Sequence, residues 1–137
     1  MVLHADSDAA YLTMPEARIC YADHFYLSDW PSLIPIKSNL ERNGCIHTEC
    51  KTIRNVVSSP AEAETCCTLN NCNTDIGMRP ALIVLDHKQP ATPLKTDNPR
   101  TEGFVKLGMK QKRSKTWDMK WYWLRDKEFL EQLIVYW

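Results

Sequence analysis

The 137 residues predict an α/β protein, a mixed sheet with helices on its faces. Three observations lead there. Strand-like stretches come first, three in succession. Two further strand-like stretches are each preceded by helical ones. A proline- and serine-led helix start separates the two regimes, so the order runs three strands, helices, strand, helices, strand.

The first strand is Leu3 to Ala9, where side-chain character alternates and Asp6 and Asp8 fall on one face. His24-Phe25-Tyr26-Leu27 forms the second, and Cys45-Ile46-His47-Thr48 the third, entered from the turn Asn43-Gly44. Pro31, Pro35, Pro90 and Pro93 punctuate loops. Ser58-Ser59-Pro60-Ala61-Glu62 opens a helix with a serine cap, a first-turn proline and acids near the positive end of the dipole. That helix is expected to run to about Asp75. Pro80 then predicts a break before Ala81-Leu82-Ile83-Val84-Leu85, a second helix. Pro93 to Asp97 reads as the fourth strand, and Glu102 to Lys110 as a helix behind it. Trp117, Trp121 and Leu124 share one face at helical spacing, so residues 115–131 are expected to be a helix whose aromatic stripe faces the core rather than stacking on bases. Leu133-Ile134-Val135-Tyr136-Trp137 is the last, buried strand.

Length and composition fit one domain over residues 1–137, with no repeat, low-complexity tract or linker. No apolar run approaches the roughly 18 residues that cross a bilayer, which excludes a helical membrane span. Met1-Val2-Leu3-His4-Ala5-Asp6 does not read as a secretory leader, so an intracellular location, cytoplasmic or nuclear, is expected. The net charge is zero but unevenly distributed. Residues 106–127 hold eight basic side chains against two acidic ones, while residues 1–105 hold nine basic and thirteen acidic. Such a block suits an anionic partner, phosphate above all, or else a solvated helix face.

The six cysteines (Cys20, Cys45, Cys50, Cys66, Cys67, Cys72) include no CxxC pair, and disulfides are not expected. Cys45-Ile46-His47-Thr48-Glu49-Cys50 offers zinc-type donors, but a structural zinc site needs a second paired group, and Cys66, Cys67 and Cys72 lie in a helical stretch. Buried or incidental thiols are the expectation, and a small zinc-dependent interaction module is the weakest functional reading.

Three acids sit where predicted elements begin or end: Asp8 on the first strand, Glu64 in the first helix, Asp97 closing the fourth strand. Hard divalent cations take such oxygen donors. Two ions about 3.5–4 Å apart can activate a water and stabilise a leaving oxygen in phosphodiester hydrolysis. Read singly, each acid is explained as well by capping or solvation.

Four stretches in order, Ser7-Asp8-Ala9, Asn43 to Glu64, Thr96-Asp97-Asn98 and Arg113 to Arg125, resemble motifs of the ribonuclease H domain of copia-type retrotransposon polyproteins, a likeness that covers nearly the whole chain. Ser7-Asp8-Ala9 is similar to the first-strand motif. Asn43-Gly44-Cys45-Ile46-His47 followed by Ser58-Ser59-Pro60-Ala61-Glu62-Ala63-Glu64 resembles the strand and helix start that ends in "SSTEAE". Thr96-Asp97-Asn98 resembles "CDN" or "TDN". The stretch from Arg113 to Arg125 resembles the helix "RTKHIDIRYHFIR". The resemblance implies a five-stranded mixed sheet, three antiparallel strands plus two parallel. It also implies hydrolysis of the RNA strand of RNA–DNA hybrids with two Mg²⁺ or Mn²⁺ ions, beside the reverse transcriptase of the same polyprotein. Carried over by motif, Asp8, Glu64 and Asp97 are catalytic metal ligands, preferred over Asp6 and Glu62. Asn98 would touch the nucleic-acid backbone, and Lys110, Lys112, Arg113 and Lys115 would face phosphates. Asp118 matches a family acid but reads as a solvated or capping one.

The chain departs from the pattern in three places. It ends at Trp137, before the family's fourth carboxylate motif "LAD-TK". The segment Cys20-Tyr21-Ala22-Asp23 stands where the family has a glycine-rich hairpin, which predicts a rebuilt or strained connection. Pro80 falls in an ordinarily helical region. These departures imply a truncated or decaying copy, and with it the alternative function: an inactive relic that keeps the fold and weak nucleic-acid binding.

Overall fold

A computed structural model of the chain describes residues 1–28, 43–54, 57–107 and 115–137. In chain order the elements are β1 (Val2–Met14), a short 3₁₀ turn (Pro15–Ala17), β2 (Arg18–Ser28), β3 (Cys45–Thr52), α1 (Pro60–Val84), β4 (Thr92–Thr96), α2 (Pro99–Leu107), α3 (Lys115–Phe129) and β5 (Leu133–Tyr136). The five strands form one sheet in the order β3-β2-β1-β4-β5. β1, β2 and β3 pair antiparallel, and β1–β4 and β4–β5 pair parallel, so the mixed sheet expected from the element order is present. Strands joined by a short turn can only pair antiparallel, whereas those separated by helices return in the same direction.

β1 is the spine. Leu3, Ala5, Phe25 and Leu94 cluster with Leu82 of α1, and farther along Ile19, Tyr21 and Ile53 meet Ala63, Cys66 and Cys67. One long helix therefore lies across the antiparallel part of the sheet. A third cluster joins Cys72 to Val105, Leu124, Leu133 and Val135, which locks α2, α3 and β5 onto the same helix. Burying each large side chain of these clusters contributes roughly 1.5–3 kcal/mol. Trp121 is buried, with its ring edge-on to Phe104 at 4.6 Å, and Leu124 is fully buried, as expected of a core stripe; the side chain of Trp117 lies outside the described residues.

Two expectations are corrected. Cys20-Tyr21-Ala22-Asp23 is no connection: these residues lie inside β2, opposite Ala10, Ala9, Asp8 and Ser7 in turn. The hairpin turns at Pro15–Ala17, beyond strands longer than their apolar alternation suggested. The strain follows the turn. Leu12 and Glu16 take positive φ, 56° and 60°, in a segment without glycine, and the ladder shifts register between Ala10 and Met14. The second correction is Pro80, which does not break α1; the helix runs unbroken to Val84. Pro80 is exposed, so its ring displaces no core side chain. The turns around it are anchored elsewhere, because Leu82 is buried and Arg79 donates to Pro90 O, Gln89 O and Thr92 Oγ1.

Candidate metal centre

The parallel register of β1 and β4 ends at Ser7 opposite Thr96, so the next residue of each chain segment, Asp8 and Asp97, emerges side by side. Past that point β1 has no β4 partner, and the N–H of Ala9 donates instead to Glu64 Oε1 at 3.1 Å. Glu64 is in the second turn of α1, whose start is set locally. Ser59 caps it by accepting from the N–H of Glu62, while Glu62 accepts from the backbone and hydroxyl of Ser58. The two acids of this helix start thus divide their work: Glu62 completes the cap and Glu64 reaches the sheet.

Carboxylate oxygens of Asp8, Glu64 and Asp97 all lie within 4.8 Å of one another, the one grouping of three or more potential metal-ligating side chains among the described residues. Asp8 and Asp97 are exposed and Glu64 is buried. At an effective dielectric near 20, two charges at this spacing repel by about 3–4 kcal/mol. Burial pushes the Glu64 carboxyl up to about 8, and the neighbouring charge of Asp97 and then Asp8 adds to the rise, against the Ala9 hydrogen bond. Its Oε2 is buried with no hydrogen-bond partner among the described residues. An orphaned oxygen among like charges is what a divalent cation would satisfy, and a donor set of three carboxylates fits a hard ion such as Mg²⁺ or Mn²⁺.

Residues that the sequence did not single out hold this corner together. Cys67, one turn after Glu64, is fully buried; its single S–H is shared between Asp8 O (3.1 Å) and Ala22 O (3.4 Å), and its sulfur accepts from the Ser7 hydroxyl (3.1 Å). Burial raises that thiol to about 12, so it stays protonated and keeps donating. The indole of Trp137 donates to Asp97 O at 3.2 Å and ties the end of the chain to the loop after β4. The sequence places Cys67 in a helical stretch as a buried or incidental thiol, and nothing there distinguishes it from an ordinary core thiol.

Asn98 takes the cap position of α2: its Oδ1 accepts from the N–H of Arg100 at 2.9 Å and its own N–H donates to Thr96 Oγ1. Lys110, Lys112 and Arg113 lie outside the described residues. Lys115 opens α3, but its side chain, like that of Asp118, is also outside them. Cys45, His47 and Cys50 do not assemble as a metal-donor group; Cys45 Sγ lies against His47 O and Thr48 Oγ1, and Cys50 against Cys20.

No protein-family model matches the chain, and no curated protein matches it. Solved structures do. Ribonuclease H1 from the halophilic archaeon Halobacterium salinarum superposes with a TM-score of 0.57 at 14% identity, over 98% of this chain and 81% of that one. LC11-RNase H1, solved in complex with an RNA/DNA hybrid, gives 0.58 at 9% identity, over 98% and 83%. The protease-reverse transcriptase of prototype foamy virus gives 0.53 at 10% identity, over 98% of this chain and 17% of that much longer one. At these identities the likeness concerns architecture, and it defines the class: the chain has the ribonuclease H fold.

Proposed function

We propose that residues 1–137 of this chain form a single ribonuclease H-type nuclease domain from a copia-type retroelement polyprotein, acting on the RNA strand of RNA–DNA hybrids beside the reverse transcriptase of the same polyprotein. The convergence of Asp8, Glu64 and Asp97, which are far apart in sequence, within 4.8 Å carries the proposal. The ribonuclease H fold supports it, and the four motifs supply the copia-type origin.

In this reading Asp8, Glu64 and Asp97 hold two Mg²⁺ or Mn²⁺ ions. When bound, such ions supply an activated water and stabilise the oxygen that leaves the phosphodiester. The chain's own residues supply the geometry. Asp8 and Asp97 each follow the last paired residue of the parallel β1–β4 ladder, Ala9 N–H fixes one Glu64 oxygen, and Cys67 and Trp137 hold the carbonyls of Asp8 and Asp97. Glu64, raised to about 8, gives up its proton as the cations bind, so binding strengthens as pH rises toward that value. Lys110, Lys112, Arg113 and Lys115 supply positive charge for phosphates, and Asn98, besides capping α2, lies one residue from Asp97 for contact with the nucleic-acid backbone. No helix among the described residues is long and apolar enough to cross a membrane.

The test uses a labelled RNA–DNA hybrid with Mg²⁺ or Mn²⁺, the protein and its Asp97→Asn variant. Cleavage of the RNA strand is expected for the protein and background signal for the variant. Hybrid binding without cleavage by either would point to an inactive relic of the domain.

A further inference from the structure

Cys20 of β2 and Cys50 of β3 are 30 residues apart in sequence, yet their sulfurs stand 3.0 Å apart. The register explains the approach. Cys20 lies opposite Thr52 and Cys50 opposite Ala22, so the two thiols are diagonal neighbours on one face of an antiparallel pair. The right-handed twist of such a pair draws one diagonal together. Cys50 is exposed and Cys20 half-buried, so a small molecule in solvent reaches them. The other sulfurs are engaged differently: Cys66, Cys67 and Cys72 are buried, and Cys45 contacts His47 O and Thr48 Oγ1.

We propose that Cys20 and Cys50 form a reversible disulfide that staples β3, an end strand of the sheet, to β2 when the protein meets a small-molecule disulfide oxidant. The Cys50 thiolate attacks one sulfur of the oxidant, forming a mixed disulfide and releasing the first thiolate of the reagent. The Cys20 thiolate then attacks the Cys50 sulfur, forming the Cys20–Cys50 bond and expelling the second thiolate. Two protein thiols are oxidised, one oxidant disulfide is reduced to two thiols, and the protons leave with them. A bond length of about 2.05 Å requires the sulfurs to close by about 1 Å from the 3.0 Å at which they stand. The closed loop removes freedom chiefly from the unfolded chain.

Oxidised glutathione on the native full chain tests this, with non-reducing digestion and mass spectrometry to locate the products. The expected result is one cross-linked peptide pair containing Cys20 and Cys50, reversed by dithiothreitol. Cys20→Ser is expected to stop at a glutathione adduct on Cys50, and oxidation of the unaltered protein to raise Tm by roughly 5 °C or more. Glutathione adducts on both residues without a cross-link would overturn the proposal. So would a bond from Cys50 to Cys45, or a Cys20–Cys50 bond that lowers Tm.

Discussion

Glu64 is the residue in which burial and ionisation compete most directly. Its carboxyl is buried beside Asp97 and Asp8, and its ordinary value of 4.5 rises to about 8. A group bound more tightly to its proton in the folded state stabilises that state below its unfolded value, here about 4.5. The contribution is lost as pH rises through about 8. Without cations, the folded protein is therefore expected to lose stability between pH 5 and 9. Glu64→Gln keeps an oxygen to accept from Ala9 but cannot ionise. In chelator, urea unfolding should show the variant more stable than the unaltered protein at pH 9, by something of order 1–3 kcal/mol, and the gap should close near pH 4–5. Saturating Mg²⁺ should reverse the order at pH 9, because only the carboxylate gains from the ion. The same residue shows why the site was partly legible. Helix spacing and the serine-proline start located Glu64, but its advantage over Glu62 rested on motif likeness until the cap of α1 was seen to occupy Glu62.

At the scale of elements, the sequence revealed order and type more readily than extent. β1 is readable from its alternation, α1 from its serine-proline start, and α3 from an aromatic stripe at helical spacing. β1 and β2 run past their expected limits: beyond Ala9, β1 pairs at Ala10 and again at Met14 across an irregular stretch, and the added half of β2 buries Ile19 and Tyr21 at period two. The turn at Pro15–Ala17 is hidden because its positive-φ residue is Glu16, where a glycine would announce it. Pro80 misled in the opposite direction. Local propensity forbids it mid-helix, but the packing of Leu82 and the three donations from Arg79 outweigh a penalty of about 3 kcal/mol. Pro80→Ala is thus expected to stabilise the protein by about 1–3 kcal/mol in thermal or urea unfolding. A destabilised variant would mean that the proline sets a bend α1 requires.

For the molecule as a whole, charge is divided between the carboxylate corner and the basic stretch of residues 106–127. An interface made by such a stretch releases counterions from the nucleic acid, so affinity falls with salt in proportion to the phosphates neutralised. Replacing Lys112 and Arg113 together with Glu is expected to weaken hybrid binding at least tenfold near 0.1 M salt and to flatten its salt dependence by about two in log–log slope, while leaving cation affinity unchanged. Fluorescence anisotropy over a salt series reads both effects. A cation site at the carboxylate corner is read out by Mn²⁺ titration at pH 7.5, followed by electron paramagnetic resonance of the free ion, on the protein and on Asp8→Asn, Glu64→Gln and Asp97→Asn. Saturable, stoichiometric binding that weakens in all three variants is the predicted result. Weak binding of equal strength in all four proteins would contradict a cation site built from these carboxylates.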